Sequence, residues 1–172
     1  MKKKELKSSE YNEYYKNYID KLSDEIELKK GYTTGKQLVI EFFTSIPKDK
    51  LAYRYQPGKW TIKEVFQHQI DTERIFMYRC FRIARRDSAP LMGYDQDIYV
   101  VPSQANNKSI EELVNEFETT RNNSINIIHS LTNEDLCFIG NASESAMSAR
   151  AAAFIILGHD KWHIDVIKNK YL

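Results

Sequence analysis

Thr61-Ile62-Lys63-Glu64-Val65-Phe66-Gln67-His68-Gln69-Ile70-Asp71-Thr72-Glu73-Arg74-Ile75-Phe76 is the stretch that decides the fold. It opens with a capping box, in which the Thr61 hydroxyl at the N-cap and the Glu64 carboxylate at N3 each serve a backbone N–H that the first turn leaves free. The loop Tyr53 to Lys59, ending in Pro57-Gly58, precedes it, so a helix starts at Thr61 and the pattern carries it to about Arg85. Ile62, Val65, Phe66, Phe76, Met77, Cys80 and Ala84 share one broad face of this second helix. Arg79, Arg82, Arg85 and Arg86 weight its C-terminal half, where cations suit the helix dipole.

Working outward toward the N-terminus, Ile26, Tyr32, Leu38, Val39, Phe42, Phe43 and Ile46 form a helical stripe that stops at Pro47. Gly31 and Gly35 weaken its first half, so helix one is expected mainly after Gly35. Residues 8–22 carry Tyr11, Tyr14, Tyr15, Tyr18 and Leu22 at intervals of three and four, the pattern of a short amphipathic arm whose tyrosines pack on a bundle. Toward the C-terminus, a long loop runs from about Asp87 to Asn107. It holds two prolines, Gly93 and the stretch Tyr94-Asp95-Gln96-Asp97-Ile98-Tyr99, an aromatic content that predicts an ordered, functional loop. Ser109 begins helix three with Glu111 and Glu112 in its first turn, and Asn133-Glu134-Asp135 is expected to end it. After a polar turn from Gly140 to Ser145, helix four runs to about Lys170, and its segment Ala151 to Leu157 is apolar all round. That segment must be covered on several sides, by the other helices or by a second subunit. The expected architecture is all-α: a four-helix bundle with a short N-terminal helical arm and a long loop between helices two and three.

The 172 residues fit one domain, taken as 1–172. Lys plus Arg (25) nearly balance Asp plus Glu (24), so the chain lacks the basic bias of a nucleic-acid binder. Met1-Lys2-Lys3-Lys4-Glu5 has the charge of a signal peptide's start, yet polar Ser8-Ser9-Glu10 follows where an apolar stretch is required. The run Ala151 to Leu157 is far shorter than the roughly 20 residues that cross a bilayer. Cys80 and Cys137 show neither C-x-x-C spacing nor the density of a disulfide scaffold. A cytoplasmic protein with no membrane and no nucleic-acid partner is expected, with Cys80 a buried core thiol.

Chemistry points to the histidines. His159 and His163 stand four residues apart on helix four, which leaves their rings about 40° apart around the axis and about 6 Å along it, able to grip one ion. Three protein ligands plus a water is the pattern of catalytic zinc, and His68, flanking the apolar face of helix two, is the candidate third ligand. A bundle core built from facing helices is a recognised place for such a site. On spacing alone the plainer reading also stands, in which these are hydrogen-bonded packing histidines. His129, near the end of helix three, reads as exposed or as a charge on the dipole.

Pro57-Gly58-Lys59-Trp60-Thr61-Ile62-Lys63-Glu64, then His68, then Asp71-Thr72-Glu73-Arg74-Ile75-Phe76, resembles the second-helix signature of the DinB/YfiT-like superfamily. Gly93-Tyr94-Asp95-Gln96-Asp97 resembles that family's loop before helix three, and Gly158-His159 with His163 resembles its last-helix histidine pair. Order and spacing agree over roughly residues 10–172. The resemblance implies a four-helix bundle with a divalent metal on His68, His159 and His163, and a homodimer. The chain departs from the family where many members carry another histidine just before the final ligand; Trp162 stands there, to wall the pocket or simply to pack.

Further pocket or mouth residues are expected among Arg79, Arg82, Tyr94 and Tyr99, since Arg or Tyr can position an anionic group. Glu73 lies near the centre of the apolar face of helix two, where a carboxylate needs a partner; an ion pair with an arginine, or orientation of a ligand histidine at the pocket, would supply one. Asp71, on the side of helix two opposite the stripe, reads as solvated or as an interface residue, and Asp160 and Asp165 are open either way.

Neutral imidazoles leave the full charge on a divalent ion, which acidifies a water or a thiol. Zinc or nickel leads, with manganese or iron as alternatives. The expected function is that of a metal-dependent enzyme acting on a small-molecule substrate. It is either a hydrolase or, as the resemblance implies at family level, an S-transferase with a low-molecular-weight thiol as cosubstrate. The alternative is a non-enzymatic, metal-stapled stress or interaction protein.

Overall fold

The structure, a computed structural model, describes residues 1–172 and contains seven α-helices and one small hairpin. Four long helices make the bundle: α2 (Leu28–Ser45), α3 (Ile62–Ala84), α5 (Ile110–Ser130) and α7 (Ala149–Lys170). Three short ones, α1 (Lys16–Ile19), α4 (Asp97–Ser103) and α6 (Asn133–Cys137), lie in the connections. Around the bundle α2 neighbours α5 and α7, and α3 neighbours α5 and α7, so the consecutive helices α2 and α3 stand diagonally opposite. Across that diagonal Phe43 and Phe66 stack with ring centroids 3.8 Å apart. No helix is long and apolar enough to cross a membrane.

The expected capping box forms, and a second one starts α5. The Thr61 hydroxyl accepts from Glu64 N while Thr61 N donates to the Glu64 carboxylate, and Ser109 and Glu112 do the same for α5.

The structure corrects the sequence reading in four places. Helix one keeps its first half, because Gly31 is a packing notch: a Cβ there would stand 2.9 Å from the Leu157 side chain. The propensity cost of a mid-helix glycine, about 1 kcal/mol, is offset by the close approach of α2 to α7. The loop from Asp87 to Asn107 contains a helix of its own, α4, followed by a 3-10 turn at Ala105–Asn107. Asn133-Glu134-Asp135 does not end helix three. Thr132 and Asp135 form another capping box and start α6. The polar turn is the tip of a hairpin, β1 (Ile139–Ala142) paired antiparallel with β2 (Ser145–Ser148), turning on Ser143 and Glu144 at φ 53° and 60°. Helix four therefore starts at Ala149, behind Ser148 as N-cap.

The hairpin also anchors the long loop. Leu91 N donates to Asn141 O, and Ser143 N donates to Leu91 O, which fixes where Gly93 and Tyr94 emerge.

The apolar core is two clusters, not one. One holds Leu28, Tyr32, Phe76, Cys80, Ile128 and the Ala151–Leu157 run; the other holds Val39, Phe43, Ile62, Phe66, Phe117 and Ile164. Between them lies a polar waist of buried His68, Gln69, Glu73, Arg121, His159, Asp160 and His163. The Ala151–Leu157 run is covered within one chain by α2, α3 and the N-terminal arm, so it needs no second subunit.

That arm is fixed from both ends. Glu10 receives two hydrogen bonds from the buried Arg150 guanidinium, one of them at 2.7 Å from Nε. Gly158 provides the other seat, because a Cβ there would stand 2.1 Å from the Tyr18 carbonyl oxygen. Gly158→Ala is expected to lever the arm off α7 and cost about 1–3 kcal/mol, the usual penalty of overpacking. Thermal unfolding and limited proteolysis of residues 8–22 check this; an unchanged melting temperature with an equally protected arm would refute the seat.

Candidate metal centre

His68 sits in the second turn of α3, and His159 and His163 lie one turn apart on α7, the helix packed against it. All three are buried, and their ligand atoms lie within 4.8 Å of one another. His159 Nε2 is the middle point, 3.0 Å from His68 Nε2 and 3.0 Å from His163 Nε2. Two bonds of about 2.05 Å meeting at a tetrahedral zinc hold their nitrogens roughly 3.3 Å apart, so the spacing suits a shared ion.

The donor chemistry supports the same fit. A single hydrogen on His159 Nε2 can point at only one neighbour, and its single lone pair can accept well from only one. Hydrogen bonding thus leaves part of this inward-facing trio unsatisfied, whereas one cation engages all three lone pairs together. Protonation is no remedy at neutral pH. Burial pushes His68 down to about 4, while burial first and the neighbouring rings second push His159 well below its ordinary value, and His163 likewise with His68 as its neighbour. Neutral imidazoles are the form that binds metal.

A pH effect follows from these directions. A histidine whose pKa is lower folded than unfolded stabilises fully above its unfolded value of 6.5 and loses that contribution as pH falls toward the folded value. The metal-free chain is expected to unfold at lower urea at pH 5 than at pH 7.5, and His159→Gln should narrow the gap. Equal midpoints at the two pH values in the unsubstituted chain would contradict the burial argument.

Aromatic rings enclose the trio. Trp60 lies 4.8 Å from the His68 ring, Trp162 4.8 Å from His163, and Tyr18 5.2 Å from His159. Trp162 thus walls the centre and also meets Tyr18 edge-on at 5.6 Å. On the His159 side a cavity of about 450 Å³ opens between the arm, α3 and the long loop. On the His163 side a smaller one of about 220 Å³ lies against Trp60 and Trp162.

Residues 32–167 match the DinB superfamily. The chain belongs to that superfamily. No functionally curated protein matches it in sequence. Among solved structures this DinB member resembles YfiT from Bacillus subtilis, described as a probable metal-dependent hydrolase with an unusual four-helix bundle topology. The TM-score is 0.68 at 15% identity, over 95% of this chain and 89% of YfiT. At that identity the likeness establishes a shared fold.

The other expected pocket residues divide. Tyr94 lines the larger cavity, its hydroxyl 3.0 Å from that of Thr72, and Arg79 lines it too. Tyr99 does not reach the cavity; it packs behind Tyr94 at 5.5 Å. Arg82 is likewise outside it, turned to the surface, where it bonds Asp87 and the Tyr78 hydroxyl. Glu73 is not a pocket residue either. It takes two hydrogen bonds from Arg121, 2.7 Å from Nε and 2.9 Å from Nη2, and Arg121 Nη2 also donates to Asp160 at 2.6 Å. Burial raises Asp160 to about 6 against the pull of Arg121, with the Glu73 carboxylate adding to the rise. Asp71 is half-buried beside Gln67 and Arg74, Asp165 pairs with Lys21 at the surface, and His129 is exposed.

Sequence reasoning missed Tyr14, Tyr15 and Tyr18 as cavity walls, taking them for packing residues. It also missed Thr72 and Phe76, although their positions four and eight residues after His68 place them on the same helix face.

Proposed function

We propose that this chain is a metal-dependent enzyme, a hydrolase in the first instance, that holds one divalent ion on His68, His159 and His163 and acts on a small molecule in the larger cavity. The observation that carries the reading is the convergence of three buried, neutral imidazoles, one of which, His159, lines an open cavity. YfiT, described as a probable metal-dependent hydrolase, supports it as a structural relative. A divalent ion in such a site supplies Lewis acidity, polarising a carbonyl or bringing the pKa of a water to about 7.

The chain's own groups do the rest. His159 faces the cavity, while Tyr18 and Trp162 cover the outer faces of the rings and keep bulk water from the trio. The Thr72 and Tyr94 hydroxyls, bonded to each other four residues along α3 from His68, can orient a substrate oxygen or pass a proton toward the loop.

Transfer of a low-molecular-weight thiol is the finer alternative on the same site. Cys80 is buried in the apolar cluster and Cys137 is exposed at the end of α6, so any participating thiol comes from a cosubstrate. A cavity of about 450 Å³ has the size of an ordinary small-molecule site. A metal-stapled, non-enzymatic protein would have no use for that cavity.

The test is elemental analysis of protein purified without added metal, followed by azide and thiol titration of a cobalt-substituted sample. About one ion per chain and a shift of the cobalt spectrum on titration are expected, as for a site with an open position. A loaded sample whose spectrum ignores both ligands would leave the staple.

A further inference from the structure

Three arginines are buried in this fold, and two of them are neutralised: Arg121 by Glu73 and Asp160, and Arg150 by Glu10. Arg79 is the third. It is 2% exposed, and no carboxylate stands within ion-pair distance of it. One nitrogen, Nη2, donates to Met92 O and to Ser143 Oγ, both at 2.9 Å, and the guanidinium lies over the rings of Phe76 at 4.8 Å and Tyr94 at 6.0 Å. These neutral contacts hold the group in place without cancelling its charge. An isolated buried cation is expensive, and where a fold keeps one at a cavity wall a ligand anion is the natural counter-ion. The acids that line the same cavity, Asp95 and Asp97, are exposed and are not paired with Arg79.

We propose that the Arg79 end of the larger cavity binds the carboxylate or phosphate of an elongated anionic substrate whose other end reaches His159. This rests on the reading of that cavity as the substrate site. Arg79 lies eleven residues beyond His68 on α3, about 16 Å of helix axis, with Thr72 and Phe76 between them on the same face. The ligand class is thus an acid separated from its reacting group by a flat or apolar middle, which Phe76, Tyr15 and Tyr94 contact. The guanidinium offers planar, paired donors suited to carboxylate and phosphate alike.

The probe is 3-phenylpropionate against its uncharged amide, titrated into metal-free protein and followed by calorimetry, with phenyl phosphate as a third probe. The acid is expected to bind at least about tenfold more tightly than the amide, the scale of one charge-assisted contact. Arg79→Met should erase that preference, Arg79→Lys should keep part of it, and Ser143→Ala, which removes only a tether, should keep most of it. A tighter grip on phenyl phosphate than on phenylpropionate would assign the end to phosphate, and the reverse to carboxylate. Equal affinity for acid and amide in the unsubstituted chain, or a preference that survives Arg79→Met, would overturn the proposal. Because no metal is present in this titration, failure of the metal reading would leave its outcome untouched.

Discussion

In the His159→Ala variant, metal affinity is expected to fall by about 10²–10⁴-fold, the loss of roughly a third of the 10–16 kcal/mol that apparent structural zinc binding reaches. His159 is the sharpest choice because its Nε2 stands between the other two, 3.0 Å from each. Its removal leaves His68 and His163, two ligands on different helices with no third to close the set. The metal-free form should lose some stability as well, since the substitution opens a cavity and takes away the nitrogen that both other rings face. Chelator competition gives the affinity, elemental analysis the stoichiometry, and thermal unfolding of the metal-free forms the control. A variant that still carries one ion per chain through chelator treatment would sink the three-histidine assignment. A variant that fails to fold would be recognised by its melting curve, and His163→Gln then serves as the second variant.

The second large effect concerns stability. Arg121→Leu is expected to cost about 3–5 kcal/mol, the range for breaking a buried pair by removing one partner. At about 2–4 °C per kcal/mol for a chain of this size, that lowers the melting temperature by about 6–20 °C. The cause is specific: Glu73 and Asp160 would be left buried with no cation, and Tyr32 and Phe117 would lose the guanidinium that lies about 5 Å from each ring. The sign with pH follows. Asp160, already raised to about 6 by burial, loses the guanidinium that pulls against the rise, so its neutral form stabilises at low pH and that contribution is lost as pH rises through the folded value. The deficit relative to the unsubstituted chain should therefore shrink on acidification. Adding Glu73→Gln should restore part of the loss at neutral pH. A deficit that is flat with pH, or a double variant no better than the single, would show that the carboxylates are not its cause.

The polar waist makes these two sites neighbours in sequence and in space. Asp160 follows His159 directly, and Gln69, which follows His68, donates to Asp160 O at 3.3 Å. Each helix that offers a ligand histidine thus also offers an anchor to the buried ion cluster, on the adjacent residue. Helices α3 and α7 are pinned at the level where the imidazoles must meet.

Much of this was legible in the residues. The Thr61 capping box, the helix start at Ser109, the stripe of α3, the stop at Pro47 and the one-turn offset of His159 and His163 are local matters, fixed by the 3.6-residue period and by which backbone groups a helix end leaves free. The buried partner demanded by Glu73 was legible as a need, though not as Arg121. Gly31 misled because helix propensity is measured without a neighbour, and here α7 rewards the missing side chain. The hairpin at Ile139–Ser148 and the helix at Asp97–Ser103 escaped because short elements carry little periodicity and are held by Leu91 and α3 from elsewhere in the chain.

By itself, then, the sequence determined an all-helical bundle, its four long helices, a pair of histidines one turn apart and a third on the face of another helix. Only the tertiary structure decided that α2 and α3 stand across a diagonal, that the N-terminal tyrosines close over His159, that Arg82 turns to the surface, and that Arg79 is buried without a counter-ion. The division has a physical cause. Helical spacing is set by backbone geometry within a few residues, whereas a neighbour, a cavity or an unpaired charge depends on side chains that are distant in the chain and meet only once the two apolar clusters have packed.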